Sequence, residues 1–524
     1  MTVVVESIRP LLAISCPAIC AYFIFLFRKR PNIRESCTII ASIIQFAIII
    51  SMAPIILKGN VIKFHLITIC PGVVFSYRVD AFGLIFAITS SFLWILVSLY
   101  SIGYMRGLKE HAQTRFYFMF ALAIFSAVSI AMSENLITFY LFYEVLTLST
   151  YWLVAHHEDE EAFFGGRKYL AYLLTSGWFL FIAVALTYCL AGTTDFVSGG
   201  ILTSDSASQL TLTVLFVLFA LGSFKAAWMP FHSWLPSAMV APTPVSALLH
   251  AVAVVKAGVF GFVRIVCYVY GIDLMSELGL GIILASVASF TMIMGSFFAI
   301  GEDNLKRRLA YSTISQLSYI IFGVALLSPF GITGAMIHIP FHGFMKITLF
   351  LCAGAIIVAT GKTKISNMAG VGRQMPITMI AFSIGAIGMC GAPPVAGFIS
   401  KWFLCLGTLQ AGHLILLGVI LISSLLDVLY FFPIIKTAFF EKLPETNGGE
   451  REVVRKETGF EGLVETNGGE REAVRKETEQ PIYLFMVIPL AITAIFSIIF
   501  CLFPRTFYIL DLAEMAVRNL FGGM

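Results

Sequence analysis

Nine ionisable side chains stand within apolar runs of this sequence: Glu144, Lys225, His250, Lys256, His338, His342, Lys346, Lys401 and Asp427. A charge held at the centre of a bilayer costs at least about 2.5–3.5 kcal/mol, so groups kept there are paired, hydrated or functional. One or two could be structural ion pairs, such as a static Glu144–Lys225 pair that fixes helix packing. A series running through consecutive apolar segments points instead to a path for ions. In "HIPFHGFMK", His338, His342 and Lys346 fall at i, i+4 and i+8 and form one stripe on one helix face. An HxxxH pair can bind zinc, but the intervening glutamate of a metalloprotease is absent and the flanks are Pro and Phe. Packed structural histidines and a proton or hydration path are the other readings. A neutral imidazole suits a path because one ring nitrogen donates while the other accepts. A carboxylate beside a lysine in a low-dielectric site sets that lysine's proton affinity. Glu144 with Lys225 is therefore a candidate switch, and Lys256 the next acceptor.

The elements that position these groups are helices broken on purpose. "GSFKAAWMPFHSWLPSAMVAPTPVSALLHAVAVVKAG", residues 222 to 258, carries no acidic residue, yet holds two lysines, two histidines and four prolines. A break at Pro230 frees backbone carbonyls, which a membrane tolerates only where they are buried in protein or face water. Pro393 and Pro394, in "GAPPVAGFISKW", do the same just before Lys401. Kinks serving packing alone are the plainer alternative.

The whole chain agrees with a membrane setting. It has 524 residues, of which 59% are hydrophobic and 12% charged, against roughly 25% charged in soluble domains. Apolar runs of about 20 residues recur from end to end, the signature of a polytopic helical protein and not of an alternating barrel. Fourteen spans are expected: 8–27, 37–57, 81–103, 114–132, 135–156, 168–191, 209–229, 243–268, 278–300, 308–328, 332–358, 375–405, 412–440 and 482–503. The first reads as a retained helix, being too long for a signal core and followed by "RKRPNIR". The fold class is all-α.

Lysine and arginine concentrate in the loops after spans 1, 3, 5, 9 and 11, while those after spans 4, 6, 10 and 12 hold none. Both termini should then face outside and the basic loops the cytoplasm, in the cytoplasmic membrane of a prokaryote. The loop after span 2, with Lys58, Lys63 and Arg78, dissents. "YEVLTLSTY" at 143–151 resembles "YSTISQLSY" at 311–319, and a proline-broken span follows each two spans later. Spans 4–8 and 9–13 thus read as two copies of a five-helix unit, inverted because the number is odd, an arrangement that marks a transport pathway. The expected organisation is 1–110 for the first three spans, 111–270 and 271–440 for the repeats, 441–480 for a polar loop and 481–524 for the last span and tail. The polar loop carries a tandem repeat, "ETNGGEREVVRKET" and "ETNGGEREAVRKET", read as solvated and partly helical after each Gly-Gly.

Other chemistry is thinly represented. The net charge of +4 resides mostly in loops, and no basic, aromatic-laced stripe suggests nucleic acid. The ten cysteines are scattered; Cys16 and Cys20, the closest pair, read as small hydrophobes on an apolar face. No zinc or iron–sulfur ligand spacing stands out, so the expectation is no cofactor in this chain, with H+ or Na+ as the transported ion and any redox chemistry in another chain. No nucleotide loop or nucleophile constellation points to an enzyme site.

Taken together, "YEVLTLSTY", "KAAWMPFHSWLPSAMVAPTPVSALLHAVAVVKAG", "HIPFHGFMK" and "GAPPVAGFISKW" resemble the antiporter-like subunits shared by Mrp-type sodium/proton antiporters, respiratory complex I and energy-converting membrane-bound hydrogenases. The resemblance covers roughly residues 75–440, and the subtype it looks most like is the D-type Mrp subunit or its relatives in membrane-bound hydrogenases. It implies that Glu144 is the family's glutamate of helix 5, Lys225 the lysine of broken helix 7, Lys256 that of helix 8 and Lys401 that of broken helix 12. His250, His338, His342 and Lys346 then lie along the central hydrophilic axis. It further implies proton or sodium translocation, coupled to other antiporter-like and small membrane subunits and to a peripheral hydrogenase or dehydrogenase module. With so little sequence after span 14, the long lateral helix of the largest complex I member is not expected here. Two features depart from the family pattern. One is the duplicated loop. The other is Asp427, an extra carboxylate near the presumed exit at Lys401, suited to sodium, an altered exit or a packing pair. The expected order is entry near Lys256 and His250, then the Lys346/His338/His342 stripe, then Lys401, with Glu144–Lys225 receiving a neighbour's signal. A carrier of an organic solute and a non-transporting scaffold are the competing readings. The first needs a midplane pocket, and the second does not explain Glu144 and four lysines kept together.

Overall fold

The computed structural model describes residues 3–70, 72–441 and 469–522. Sixteen helices organise them. They are α1 (Arg9–Leu26), α2 (Pro31–Ile50), α3 (Ala81–Gly107), α4 (Gln113–Ala131), α5 (Leu136–Val154), α6 (Glu160–Ala191), α7 (Gln209–Leu221) and α8 (Thr243–Tyr270). After them come α9 (Leu280–Gly301), α10 (Leu305–Ala325), α11 (Pro329–Thr360), α12 (Pro376–Cys390), α13 (Gly397–Gln410), α14 (Leu414–Phe440), α15 (Gly469–Leu502) and α16 (Ile509–Leu520). Eleven helices among the described residues are long and apolar enough to cross a membrane. The remaining expected spans are the broken pieces α7 and α12–α13, and α10, which carries a polar face.

Local chemistry sets many of the boundaries. Asp80, Asn135, Asp159, Ser208, Asn304 and Ser328 each accept a backbone N–H from the first turn of the helix they precede, satisfying donors that have no partner within the helix. The two series α4–α8 and α9–α14 share one plan: two shorter helices, a 32-residue helix, a broken helix and a long one. Both 32-residue helices end on a left-handed glycine, Gly192 and Gly361, a conformation that costs a residue with a Cβ about 1 kcal/mol or more.

α11 lies at the centre, packed against α3, α8, α10, α12, α13, α15 and α16, and is buried from Gly331 to Ile356. Pro340 sits inside it, between the two histidines of the stripe. α16, expected to be tail, is an amphipathic helix whose buried face, including Leu512, Ala513 and Ala516, rests on α3 and α11.

The loop between α2 and α3 is a β-hairpin, which periodicity did not reveal. β1 (Val4–Glu6) pairs parallel with β2 (Val61–Cys70), and β2 pairs antiparallel with β3 (Val73–Val79). Two of the three cations in the loop that broke the charge rule are tied into the folded surface: Lys63 forms an ion pair with Glu134 and Arg78 donates to the Phe196 carbonyl (3.0 Å), while Lys58 is exposed. The last span falls where expected, at Tyr483–Leu502, within a helix that starts earlier, at Gly469 in the second Gly-Gly of the repeat. The first copy of the repeat lies outside the described residues.

Candidate functional site

The break after α7 places Lys225 in a short 3-10 turn, Phe224–Ala226, closed by Ala227 in left-handed geometry. Its backbone is met by protein groups. Phe224 N–H donates to Ser176 Oγ (3.1 Å), Met229 N–H to Thr291 Oγ1 (3.1 Å), and Trp234 Nε1 to the Phe224 carbonyl (3.0 Å). α8 reaches this break through Gly258, where a Cβ would collide with the backbone of Lys225 and Ala226. Lys225 itself is fully buried. Its Nζ donates to the Tyr143 carbonyl (2.7 Å) and lies 4.0 Å from Glu144 Oε1. Glu144 keeps 19% of its side-chain surface exposed, so this end of the polar series opens toward the outer face of α5.

Toward the centre, Lys256 and His342 meet at 2.6 Å, Nζ to Nδ1. The rings of His342 and His338 stack at 5.7 Å, and His338 Nδ1 bonds Ser400 Oγ (2.8 Å). Both Nδ1 atoms of the HxxxH pair thus serve hydrogen bonds to α8 and α13, while both Nε2 atoms are buried without a partner. Ser400 is the sequence neighbour of Lys401, so the stripe and the second break meet here. His250 occupies a π-helical turn of α8, Leu248–Val252, beside Phe350. Neither of its ring nitrogens has a protein partner. The structure therefore places it near the series but does not bond it to Lys256.

The second half is continuous. Lys346 Nζ donates to Ser312 Oγ (2.8 Å), Ser312 pairs with Tyr430 Oη (2.8 Å), and Tyr430 donates to Asp427 Oδ1 (2.6 Å). Asp427 Oδ2 accepts from Lys401 Nζ (2.8 Å) and from Gln316 Nε2 (2.8 Å). Lys401 also donates to the Met389 carbonyl (2.8 Å), at the end of α12 where the break leaves it without a helical donor, and to Ser424 Oγ (3.1 Å). Pro393 and Pro394 make that break, as Pro230 does in the first. Asp427, an unexplained carboxylate in the sequence, is the hub joining Lys346 to Lys401. It stands at the same depth in α14 as Lys256 does in α8.

Apart from His250, the residues singled out in the sequence fall into three stretches: the Glu144–Lys225 ion pair at 4.0 Å, Lys256–His342–His338–Ser400 joined by hydrogen bonds and one ring stack, and the fully hydrogen-bonded Lys346–Ser312–Tyr430–Asp427–Lys401. Sequence reasoning missed the neutral members, above all Ser312, Gln316 and Tyr430. A signal existed: Ser312, Gln316 and Tyr319 fall at i, i+4 and i+7 in "YSTISQLSY" and share one face of α10. Also missed was Arg264 in α8, almost fully buried and paired to Asp80 through two hydrogen bonds of 2.6 and 2.8 Å. The rings of Phe82, Phe196, Phe260 and Tyr268 surround its guanidinium. That closed, bidentate geometry is a lock between α3 and α8, apart from the series.

Comparison with known proteins follows the same outline. The family model described as NADH:quinone oxidoreductase/Mrp antiporter, transmembrane, matches residues 133–427. NADH-quinone oxidoreductase subunit N of Desulforudis audaxviator is 32% identical over 365 residues, covering 68% of this chain and 71% of that protein. A probable K(+)/H(+) antiporter protein of Rhizobium meliloti, of the A/B type, is 33% identical over 366 residues, covering 69% of this chain and 36% of that longer protein. The Mrp complex from a Dietzia species contains a chain that superposes with a TM-score of 0.81 at 22% identity, covering 98% of both chains. A chain of an archaeal membrane-bound sulfane sulfur reductase gives 0.79 at 22% identity, again over 98% of both. These last two show a shared fold. The polar series runs through the matched region, and the chain belongs to the NADH:quinone oxidoreductase/Mrp antiporter family of transmembrane subunits.

Proposed function

We propose that this chain is an ion-translocating, antiporter-like subunit that moves protons along the buried series from Lys256 to Lys401. The observation that carries the reading is the unbroken run Lys346–Ser312–Tyr430–Asp427–Lys401, joined by hydrogen bonds of 2.6–2.8 Å inside the bundle. Lysine and histidine nitrogens hold and hand on protons. A lysine ammonium has no lone pair with which to bind a sodium ion, and a hard cation needs a cage of oxygens. Lysine and histidine nitrogens recur along the series and each oxygen between them is already engaged by a hydrogen bond, so the series fits H+ better than an oxygen-caged Na+.

Glu144 and Lys225, at the exposed end, receive the signal of a neighbouring subunit, and His250 and Lys256 stand at the cytoplasmic entry. The partners are other antiporter-like and small membrane subunits, with a peripheral hydrogenase or dehydrogenase module supplying the drive. Both structural neighbours are chains of membrane complexes, which supports such a setting. The location is the cytoplasmic membrane of a prokaryote, with both termini outside. The test is the intact complex in sealed vesicles, with a pH dye inside and sodium left out. The reading expects a pH gradient on energisation. A gradient that forms only when sodium is supplied, with unchanged complex integrity, would contradict the proton assignment.

A further inference from the structure

The loops that follow α3 and α5 meet at one end of the bundle and bring together Glu110, His111, His156 and His157. Three imidazole nitrogens face one carboxylate oxygen. Glu110 Oε2 lies 4.0 Å from His111 Nδ1, 3.8 Å from His156 Nε2 and 3.6 Å from His157 Nδ1. These distances are too long for hydrogen bonds. They are close to the spacing of ligands around a shared ion, since tetrahedral zinc with bonds of about 2.0–2.1 Å separates its ligands by about 3.3–3.5 Å. Ligand atoms of Glu110, His111 and His156 all lie within 4.8 Å of one another.

Two independent features separate this cluster from a chance surface grouping. His156 is 0% exposed and neither ring nitrogen has a hydrogen-bond partner, although its Nε2 is aimed at the carboxylate. A buried polar group without a partner costs about 1–3 kcal/mol and calls for an explanation. The Glu110 side is braced from behind: its backbone N–H donates to the Met105 carbonyl (2.9 Å), and Gln113 Nε2 donates to the Glu110 carbonyl (3.1 Å). Two cations lie near the cluster: Arg115 is engaged by Glu158 and by the His156 carbonyl, and Lys306, whose charge is felt by Glu110, donates to the Ala241 carbonyl.

We infer that Glu110, His111 and His156, with His157 within reach as a fourth ligand, form a divalent transition-metal site that ties the α3–α4 loop to the α5–α6 loop. Neutral imidazoles with a single carboxylate suit a borderline ion such as Zn2+ and not Mg2+ or Ca2+, which prefer all-oxygen cages. The inference is independent of the route that protons take through the bundle.

The test uses the purified, tag-free complex, stripped with a chelator and titrated with Zn2+ in the presence of excess Mg2+. The expectation is one additional zinc per copy of this chain, with nitrogen and oxygen neighbours at about 2.0–2.2 Å by X-ray absorption. Outer partners of metal ligands are each worth 10–100-fold in affinity, and loss of a ligand costs no less. H111A and E110Q should therefore each weaken this zinc at least about tenfold while the complex assembles normally. His111 is half exposed but its ring packs on His156 (centroids at 4.9 Å), so E110Q, which keeps both rings, is the companion variant. Zinc held with unchanged affinity in both variants, a sulfur shell near 2.3 Å, or no zinc beyond that of a complex lacking this chain would each overturn the inference.

Discussion

Replacing Tyr430 with phenylalanine removes one oxygen and leaves every charge in place. That oxygen is the link between Ser312 Oγ and Asp427 Oδ1, at 2.8 and 2.6 Å, and no direct hydrogen bond joins those two residues. Without it Asp427 Oδ1 loses its donor in a site where the carboxylate is 0% exposed. Leaving a buried acceptor unsatisfied costs about 1–3 kcal/mol. If the proton-carrying state bears that cost, the transport rate falls about five- to 150-fold, at 1.36 kcal/mol per decade. The ring stays, so packing against Phe431 (centroids at 4.6 Å) persists and assembly is expected to be normal. The assay is the initial rate of internal pH change in vesicles containing the complex, normalised to assembled complex. A Y430F rate within twofold of wild type, with unchanged assembly, would refute the idea that protons pass along this bonded run.

Three further outcomes follow from the geometry. Arg264→Ala strands Asp80 in a half-buried site and should destabilise the complex by about 3–5 kcal/mol, read as a lowered melting temperature; an unchanged melting temperature would show the pair to be dispensable. Burial raises the Asp80 carboxyl, but Arg264 outweighs it and holds it below the ordinary carboxylate range. The pair's contribution is therefore full above the unfolded carboxylate range and lost only as pH falls through the lower folded value, so the R264A deficit should be equal at pH 6 and pH 8, and a deficit that shrinks between them would contradict the assignment. Gly258→Val pushes side-chain atoms into the backbone of Lys225 and Ala226 and should cost about 1–3 kcal/mol by overpacking; normal thermal stability would mean that α8 does not rest on the break.

Much of this arrangement was legible in the sequence because charge in an apolar run is rare and therefore loud. Glu144, the lysines and the histidine stripe announced themselves, and the prolines marked both breaks. The quieter groups did not. Ser312, Gln316 and Tyr430 are ordinary members of membrane helices, and only the folded neighbours turn them into a relay. Arg264 stood close enough to the end of its span to pass for an interfacial residue, until Asp80 was seen to meet it across 184 positions of chain. The hairpin of β2 and β3 was hidden for a different reason: its residues alternate only partly, and its two cations read as loop charge. The cluster at Glu110 lies in two polar loops that have no shared spacing in sequence, so only their meeting in space makes it visible.

The central claim is that the buried polar series carries the ion. The most direct measurement compares wild type and Lys401→Ala in the reconstituted, energised complex, reading pH and sodium gradients together. Lys401 bonds Asp427, the Met389 carbonyl and Ser424 at the end of the run. The account predicts that pumping collapses while the complex still assembles. Unchanged pumping in an assembled K401A complex would contradict it, and would make this chain a scaffold inside another protein's pump.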